Sequence, residues 1–585
     1  MTRRSTVKWM LVIWLCVLFV TGCAMAQSIG DTDPWTGGSA SGATGRSPVN
    51  NGPVDVGHNA DEGKLLQFKS QTTLVQVPVI VTDKAGNHLH GLTKTDFTIL
   101  ENGKAQKVST LEEIIPAANG SSGWANPVGT FSNVVPDERT PRAMTVILLD
   151  EVNTPFLSQS YARQQLIKYL ANHLEPSQPV GLMALTGKGL VMLSPLNSDP
   201  ATLIAILKKA SSKVSEMEQF SNDAKAVAAG QGNGSALGGI RPGDSPDAKI
   251  RAFMLWGESI NASNIQSRAI ETTLRGLLSI ALSLTGVPGR KSLVWVTGSF
   301  PFDLDSYGAV PNDRNLRALY ERTLNALNDA QVSMYPVDAR GLVTDSTFAG
   351  DYQGSLLDAS APAGLNQANL NSLKNIAAMT GGVAYYNTND LVDAFNRAAQ
   401  DSASYYLLTY YQDHRNTKPG WRRLQVEVTQ KDAEVRARAG YLVTDVAVNP
   451  ELTHKADVEF ALASPFESTG IPITERWQGL QTNGDTRKVG FVLHVPAGNV
   501  IDEGNQNRVD MEIVAQATNK GVPARTVTQT IKGLIVPDTL AKLKTDGVIY
   551  NNYLELPPGD YEVRFVVRDN LTGKLGSVIV PLKLQ

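Results

Sequence analysis

A short run of oxygen-bearing side chains, Asp150, Asn153 and Thr154, is the best candidate for chemistry in this chain. The residues just before it, 146–149, are all apolar. Such a run is typical of a strand that helices cover on both faces, as in a parallel α/β sheet. Asp150 would then end the strand. Ligands of open α/β sheets bind beyond the carboxyl ends of the strands, so we expect a ligand site here.

The same residues also have a purely structural interpretation. A carboxylate at a strand end can cap the next helix, accept N–H bonds within the turn or pair with a cation such as Arg163. Asn153-Thr154-Pro155 is a sound helix start, with Asn or Thr as the cap and Pro in the first turn. The sequence leaves both interpretations open.

Two other groups of residues are weaker candidates. Gly286-Val-Pro-Gly289-Arg290-Lys291-Ser292 lacks the spacing of a phosphate-binding loop, because Arg290 separates Gly from Lys, and the segment precedes a strand instead of a helix. His88 and His90 could grip a transition metal, but the sequence provides no third ligand beside them. We therefore expect neither a nucleotide site nor a histidine-based metal site.

An enzymatic role is not expected from the remaining residues. The chain has seven histidines, most of them in predicted turns or linkers, and no Gly-x-Ser-x-Gly elbow. Two alternatives to a binding protein stay open. One is a hydrolase that uses unrecognised residues, and the other is a structural envelope protein without a metal site.

Composition sets the broad limits. A chain of 585 residues is too long for one core and should form several domains. Its formal net charge of -3 gives no general electrostatic reason to expect nucleic acid or an anionic membrane as a partner. Both cysteines, Cys16 and Cys23, lie near the N-terminus, so the remainder of the chain can have no internal disulfide and no thiolate metal site.

The N-terminus has the pattern of an export signal. Three basic residues, Arg3, Arg4 and Lys8, precede a short apolar run, which is the charge order of a secretory signal over residues 1–26. Val20-Thr-Gly-Cys23 resembles the bacterial lipobox, in which the Cys is lipidated, and ordinary cleavage after Ala26 fits as well. We expect the protein in the periplasm, on the outer membrane as a lipoprotein, or outside the cell, with membrane contact only through the signal or a lipid anchor.

The order of patterns predicts several units. A disordered linker (27–64) precedes a small β module (65–115) and a second linker (116–142). Alternating strand and helix patterns then predict a doubly wound, mostly parallel α/β domain at 143–444. This domain contains a flexible insertion at 221–247, and strands near 405–436 should extend its sheet in antiparallel fashion. Residues 454–585 predict a C-terminal β-sandwich.

Several phrases together resemble a known family. They are Asp150-Glu-Val-Asn-Thr-Pro155, Gly289-Arg-Lys-Ser-Leu-Val-Trp295, Tyr335-Pro-Val-Asp-Ala-Arg-Gly341, Met379-Thr-Gly-Gly-Val-Ala-Tyr-Tyr386 and Tyr405-Tyr-Leu-Leu-Thr-Tyr-Tyr411. The set is similar to the bacterial von Willebrand factor type A (VWA)-related proteins, especially the acidobacterial group. The resemblance implies a Rossmann-like domain that binds a protein or cell-surface ligand through a metal ion.

The resemblance also implies a ligand set for Mg²⁺ or Ca²⁺, which prefer hard oxygen donors. The first loop would supply Asp150 and Thr154, with Asn153 beside Val152 in place of the family's middle Ser. The second loop would supply Asn197 or Ser198. The third loop has Gly298 where the family has Asp, so Asp303 is the nearest substitute, followed by Asp305. This is a degenerate version of the family's metal-ion-dependent adhesion site.

Overall fold

The computed structural model describes residues 72–115, 129–134, 144–175, 178–210, 266–300, 314–342, 369–413, 420–443, 450–502 and 507–585. The predicted signal with Cys23, the linker 27–64, the insertion 221–247 and Asp303 lie outside these ranges. Among the residues that the structure describes, none of the helices is both long and apolar enough to span a bilayer.

The first fourteen strands, in chain order, are β1 Thr72–Thr82, β2 Phe97–Glu101, β3 Lys104–Gln106, β4 Val108–Ile114, β5 Thr130–Ser132, β6 Met144–Asp150, β7 Val180–Thr186, β8 Gly189–Asn197, β9 Lys291–Thr297, β10 Val332–Asp338, β11 Tyr405–Asp413, β12 Gly420–Val428, β13 Glu434–Arg436 and β14 Gly440–Val443. The remaining strands are β15 Thr474–Asn483, β16 Thr486–Val495, β17 Ile501–Asp502, β18 Arg508–Asn519, β19 Val522–Leu534, β20 Val548–Leu556, β21 Gly559–Asp569 and β22 Leu575–Leu584. The helices are α1 Phe156–Asn172, α2 Pro200–Lys209, α3 266–284, α4 Arg314–Asp329, α5 369–380, α6 Leu391–Ala403, α7 Pro450–Ala463 and α8 Pro537–Asp546.

The central α/β sheet has five strands in the order β10-β9-β6-β7-β8. Strands β10, β9, β6 and β7 run parallel to one another, and β8 is the antiparallel edge. One face packs against α1, α2 and α6, and the other against α3, α4 and α5. Because helices cover both faces, nearly every residue of β6 is buried, as its apolar run predicts. The prediction of a mostly parallel α/β sheet is confirmed.

The predicted antiparallel extension of this sheet is wrong. Strand β11 pairs with β1 and β4, and β12 pairs with β2 and β14. These pairings form two sheets, β13-β1-β11-β4 and β14-β12-β2-β3, around a shared apolar core. The strands of the predicted module 65–115 are therefore completed by strands from 405–443. Alternating patterns identify such half-buried strands but do not identify their partners, because the pairing contacts are far apart in sequence.

The C-terminal residues form a second β-sandwich. Its sheets are β20-β16-β15-β5 and β17-β18-β21-β22, with β19 paired to β18, and side chains from both sheets share one core. Strand β5 comes from the predicted linker 116–142. Helix α7 precedes this sandwich, and its Asp457 pairs with Arg568 of β21 (2.7 Å) and Arg322 of α4 (2.5 Å). This ion triad, in which Asp457 and Arg568 are buried and Arg322 is half-buried, joins the sandwich to the α/β sheet.

Candidate functional site

Asp150 ends β6 at the carboxyl edge of the central sheet, where it is only 2% exposed. Its Oδ1 accepts hydrogen bonds from the backbone N–H groups of Val152 and Asn153, both at 3.0 Å. Its Oδ2 accepts from three side-chain donors, which are Asn153 Nδ2 (2.8 Å), Trp295 Nε1 (3.1 Å) and Thr297 Oγ1 (2.9 Å). The carboxylate thus organises the loop that follows it and binds that loop to β9.

These five donors leave little of the carboxylate for a cation. A carboxylate offers about four lone-pair positions, and a metal ion would need the same ones. Burial raises the pKa of Asp150, whereas the hydrogen bonds from Asn153, Thr297 and Trp295 oppose that shift. Because all five partners donate a proton, the ionised carboxylate matches this environment. The geometry supports the structural interpretation of Asp150, in which the carboxylate accepts N–H bonds in the turn.

The first and third loops close directly onto each other. Thr154 Oγ1 accepts a hydrogen bond from the backbone N–H of Gly298 (2.9 Å), and Ser299 Oγ donates to the carbonyl oxygen of Asn153 (3.3 Å). A Cβ atom on Gly298 would lie 2.7 Å from Cδ of Pro155 and 3.0 Å from the Asn153 oxygen. The position at which the family pattern has Asp therefore has no room for any side chain. We call residues 150–155 and 297–299 the closed loop pair.

Asn153 connects the closed loop pair to the helix layer. Its Nδ2 donates to Asp150 and also to Thr273 Oγ1 of α3 (2.8 Å). Sequence reasoning included Asn153 but missed Thr273, Trp295 and Thr297. The alternation of side chains along β9 could have placed Trp295 and Thr297 on one face, but only the pairing of β6 with β9 brings that face to Asp150.

The structure does not bring Asn197 and Ser198 to Asp150. Asn197 pairs with Val180 at the start of β7, whereas Asp150 lies beside Leu185 at the end of β7. Five residue steps separate those ends, about 17 Å along a strand. Asn197 Oδ1 instead accepts from the backbone N–H of Asp199 (2.8 Å). The proposed second-loop ligands are thus at the opposite edge of the sheet, because β8 returns antiparallel to β7.

A second carboxylate at the carboxyl edge is also engaged. Asp338 ends β10, is 1% exposed and accepts two hydrogen bonds from the guanidinium of Arg340, at 2.9 and 2.7 Å. Within the described ranges, no cluster of three or more His, Cys, Asp and Glu side chains is placed to hold a metal ion. Asp303 and Cys23 lie outside those ranges. Of the loops that the resemblance implies, the first and the third are therefore the ones that meet in the structure, and they form the closed loop pair.

The segment 286–292, which lacks the spacing of a phosphate-binding loop, contributes two buried basic side chains to the core. Arg290 is 1% exposed, and its Nη2 donates to Tyr335 Oη (2.9 Å) and to the carbonyl oxygen of Gly381 (2.8 Å). Lys291 is 2% exposed, and its Nζ donates to the carbonyl oxygen of Val287 (2.6 Å). Burial lowers the pKa of Lys291 to about 7. Neither cation faces solvent where a phosphate could bind.

Apolar side chains are exposed at the carboxyl edge of the sheet, where the closed loop pair lies. Leu157, in the first turn of α1, is 77% exposed, and Leu342, which follows β10, is 60% exposed. Tyr161 lies one turn after Leu157 on the same side of α1, and its hydroxyl donates to the carbonyl oxygen of Asn389 (2.7 Å). The Leu342 N–H donates to Asn389 Oδ1 (3.0 Å). Both leucines therefore belong to one patch, the apical surface, formed by Leu157, Tyr161, Leu342 and Asn389.

Comparison with known proteins finds matches among solved structures alone. No protein-family model matches the chain, and no curated protein matches it. The crystal structure of the TFIIH p34 N-terminal domain is 14% identical, over 44% of this chain and 97% of that chain, with a TM-score of 0.20. The crystal structure of the SpRpn10 VWA domain is 10% identical, over 33% of this chain and 88% of that chain, with a TM-score of 0.15. At these TM-scores the two similarities carry no inference about this chain.

Proposed function

We propose that this chain is an exported, VWA-related binding protein whose α/β domain binds another protein through the apical surface without a metal ion. The observation that carries the proposal is the exposure of Leu157 and Leu342 at the carboxyl edge of the sheet, where the closed loop pair lies. Exposed apolar groups that cluster together mark interaction sites more often than single exposed leucines do. The carboxyl edge is also where open α/β sheets bind their ligands.

The apical surface has a rigid base, which favours specific binding. Asn389 ties α1 to the end of β10 through the bonds to Tyr161 and Leu342. The closed loop pair also fixes the chain just before α1, because the Gly298 N–H donates to Thr154 Oγ1. A surface that is ordered before binding loses less conformational entropy when its partner binds.

Export is supported by the N-terminal charge order and the lipobox-like Val20-Thr-Gly-Cys23. The partner would then be a protein or another ligand at the cell surface. In this proposal the membrane is reached only through the signal or a lipid on Cys23.

Site-specific photo-crosslinking tests the apical surface. The photoreactive residue p-benzoylphenylalanine replaces Leu157 in the full-length protein, expressed in its native cells. The matched control places it at Lys168, which is exposed about three turns further along α1. We expect a discrete crosslinked band from position 157, unchanged by EDTA, and none from position 168. Equal bands from both positions, or no band from either, would contradict the apical surface as the binding site.

Metal independence has its own test. Calorimetric titration of Mg²⁺, Ca²⁺ and Mn²⁺ into the protein should give no binding heat, and the same ions should leave the melting temperature unchanged. The reason is that the five donors to Asp150 occupy the positions a cation would need. Saturable heat that disappears in Asp150→Ala would show that the loops open for a metal ion and would refute this part of the proposal.

A further inference from the structure

A buried carboxyl group without any hydrogen-bond partner lies inside the C-terminal sandwich. Glu475 of β15 is 0% exposed, and neither of its side-chain oxygens has a partner within the described residues. Two residues later on the same face of β15, the buried Nε1 of Trp477 also lacks a partner there. Buried polar groups are nearly always hydrogen-bonded, so an unpaired acid at this position calls for a physical explanation.

The short strand β5 lies directly beside Glu475, at the edge of its sheet. Phe131 of β5 pairs directly with Glu475, and on the other side β15 pairs with the ten-residue strand β16. Strand β5 has only three residues and forms the edge of its sheet. A short edge strand opens at a lower free energy than a long central one. Displacing β5 is therefore the easiest route by which water could reach the Glu475 carboxyl group.

Strand β5 is held by a small set of polar contacts next to Glu475. Asn133 Nδ2 donates to the carbonyl oxygens of Ser468 (2.7 Å) and Ile471 (2.9 Å), and Asn133 Oδ1 accepts from the Ile473 N–H (2.7 Å). Ser132 Oγ donates to the carbonyl oxygen of Ile473 (2.9 Å). None of these groups is ionisable, so within the described residues the attachment of β5 can respond to pH through Glu475 but not through its own contacts.

We propose that Glu475 is a pH-sensitive latch, which holds strand β5 on the sandwich while its carboxyl group is neutral and releases the strand when the group ionises. Strand β5 belongs to the connector between the first sandwich and the α/β sheet. Its release would free that connector from the C-terminal sandwich. Strand β5 can stay attached only while Glu475 is neutral, because a buried carboxylate without a hydrogen-bond donor would carry an uncompensated charge and destabilise the attached state.

The charged groups near Glu475 do not offset its burial. Burial is the single cause of the raised pKa of Glu475, which lies at about 8. On β16 the opposite residue is Leu493, and on β5 residues 130–132 carry no charge. The elements that pack around it carry their charged or titratable residues at other positions. These are Arg476 on β15, exposed on the opposite face, Arg487, Lys488 and His494 on β16, Asp560, Tyr561, Glu562, Arg564, Arg568 and Asp569 on β21, Lys583 on β22, and Glu467 before β15, which accepts the Ile579 N–H.

The direction of the pH effect follows from the two states of the latch. With β5 in place the pKa of Glu475 is about 8, and with β5 released the group would titrate as an ordinary exposed glutamate, near 4.5. Between these values the attached state binds the extra proton, so attachment is strongest at low pH and weakens as pH rises. The released fraction should increase up to about tenfold per pH unit and level off above pH 8.

Hydrogen–deuterium exchange on the full-length protein tests this inference. The amide exchange rate of residues 129–134 is measured from pH 5 to 9 in the wild type and in Glu475→Gln, which keeps the shape but cannot ionise. The wild-type to variant ratio at each pH removes the intrinsic pH dependence of exchange. We expect this ratio to rise up to about tenfold per pH unit to pH 8 and then level off. Glu555→Gln changes a half-buried acid of β20 in the same sandwich, which accepts hydrogen bonds from Asn483 and Thr486, and it should keep the wild-type profile.

Two results would overturn the latch. A ratio that does not change with pH would show that Glu475 does not control β5. An equal loss of protection in β21, in the middle of the other sheet, would show that the sandwich unfolds as a whole instead of releasing one strand. If Glu475→Gln fails to fold, Glu475→Met serves as the neutral reference.

Discussion

The replacement of Asp150 by Asn is the sharpest test of the closed loop pair, because it removes the charge and one acceptor oxygen while keeping the shape. In Asp150→Asn one oxygen can still accept the two backbone N–H bonds that Oδ1 accepts now. The new NH₂ group then faces three donors, from Asn153, Trp295 and Thr297, which lose their acceptor. A rotated amide would instead leave the two backbone N–H groups unpaired.

The magnitude follows from counting the donors left without a partner. The Thr297 hydroxyl can still donate to the carbonyl oxygen of Ser299, at 3.0 Å, so two buried N–H groups remain unpaired, on Asn153 and Trp295. An unpaired buried donor costs about 1–3 kcal/mol, so Asp150→Asn should lower the stability of the sheet by about 2–6 kcal/mol. The loss should not depend on Mg²⁺, because no ion takes part in these bonds.

The assay should report on the central sheet alone, since a multidomain chain need not unfold in one step. Hydrogen exchange of the β6 and β9 amides at increasing urea concentrations gives the local free energy of opening. The control is Asp199→Asn, an exposed acid that caps α2 and should barely affect β6 and β9. A loss in Asp150→Asn below about 1 kcal/mol would refute the reasoning, because it would mean that the carboxyl group is already neutral or that its donors are otherwise satisfied.

Two further substitutions test the closed loop pair and the buried start of β9. Gly298→Ala places a methyl group 2.7 Å from Cδ of Pro155 and 3.0 Å from the Asn153 oxygen, so it should cost about 1–3 kcal/mol by overpacking, measured by the same exchange assay. Burial lowers the pKa of Lys291 to about 7, below the 10.5 of an exposed lysine, so the unfolded chain binds more protons between these values. Stability should therefore rise with pH there, by about 1 kcal/mol per unit. Lys291→Met should be more stable at pH 7 and should lose this pH dependence.

Each of these two tests has a clear contrary outcome. If Gly298→Ala is as stable as the wild type, the two loops are not in the close contact described here. If Lys291→Met keeps the wild-type pH dependence between pH 7 and 10, the slope comes from another group. Lys168→Met, which changes an exposed lysine, should keep the slope and serves as the matched control.

The elements of the α/β sheet were largely predictable. The apolar run before Asp150 predicts β6, and the observed β6 ends at that residue. The helical spacing of residues 391–402 predicts a helix, and α6 lies at Leu391–Ala403. These predictions succeed because a strand buried on both faces and an amphipathic helix each have a characteristic spacing of apolar residues within a short stretch of sequence. The run Gly382-Val-Ala-Tyr-Tyr386 predicts a strand, but the structure has only a single bridge there, between Tyr385 and Val337, and Gly382 packs against the Met334 backbone.

The pairing of distant strands was not predictable from local patterns. Strand β11 is buried at most of its positions, and nothing within it specifies β1, more than three hundred residues earlier, as its partner. The same limit applies to β5, which was assigned to a linker, because three residues are too few to show a period. The partner of Glu475 in the proposed latch was therefore not visible in the sequence.

For the candidate site, the sequence by itself determined that a carboxylate ends β6 and that Gly298 stands where the related pattern has Asp. It could not decide whether the remaining oxygens converge on an ion. The tertiary structure adds what surrounds Asp150, because the antiparallel return of β8 carries Asn197 to the far edge and the register of β9 brings Trp295 and Thr297 to Asp150. Side-chain type is local, but which donors surround a carboxylate depends on contacts between strands that the chain brings together only when it folds.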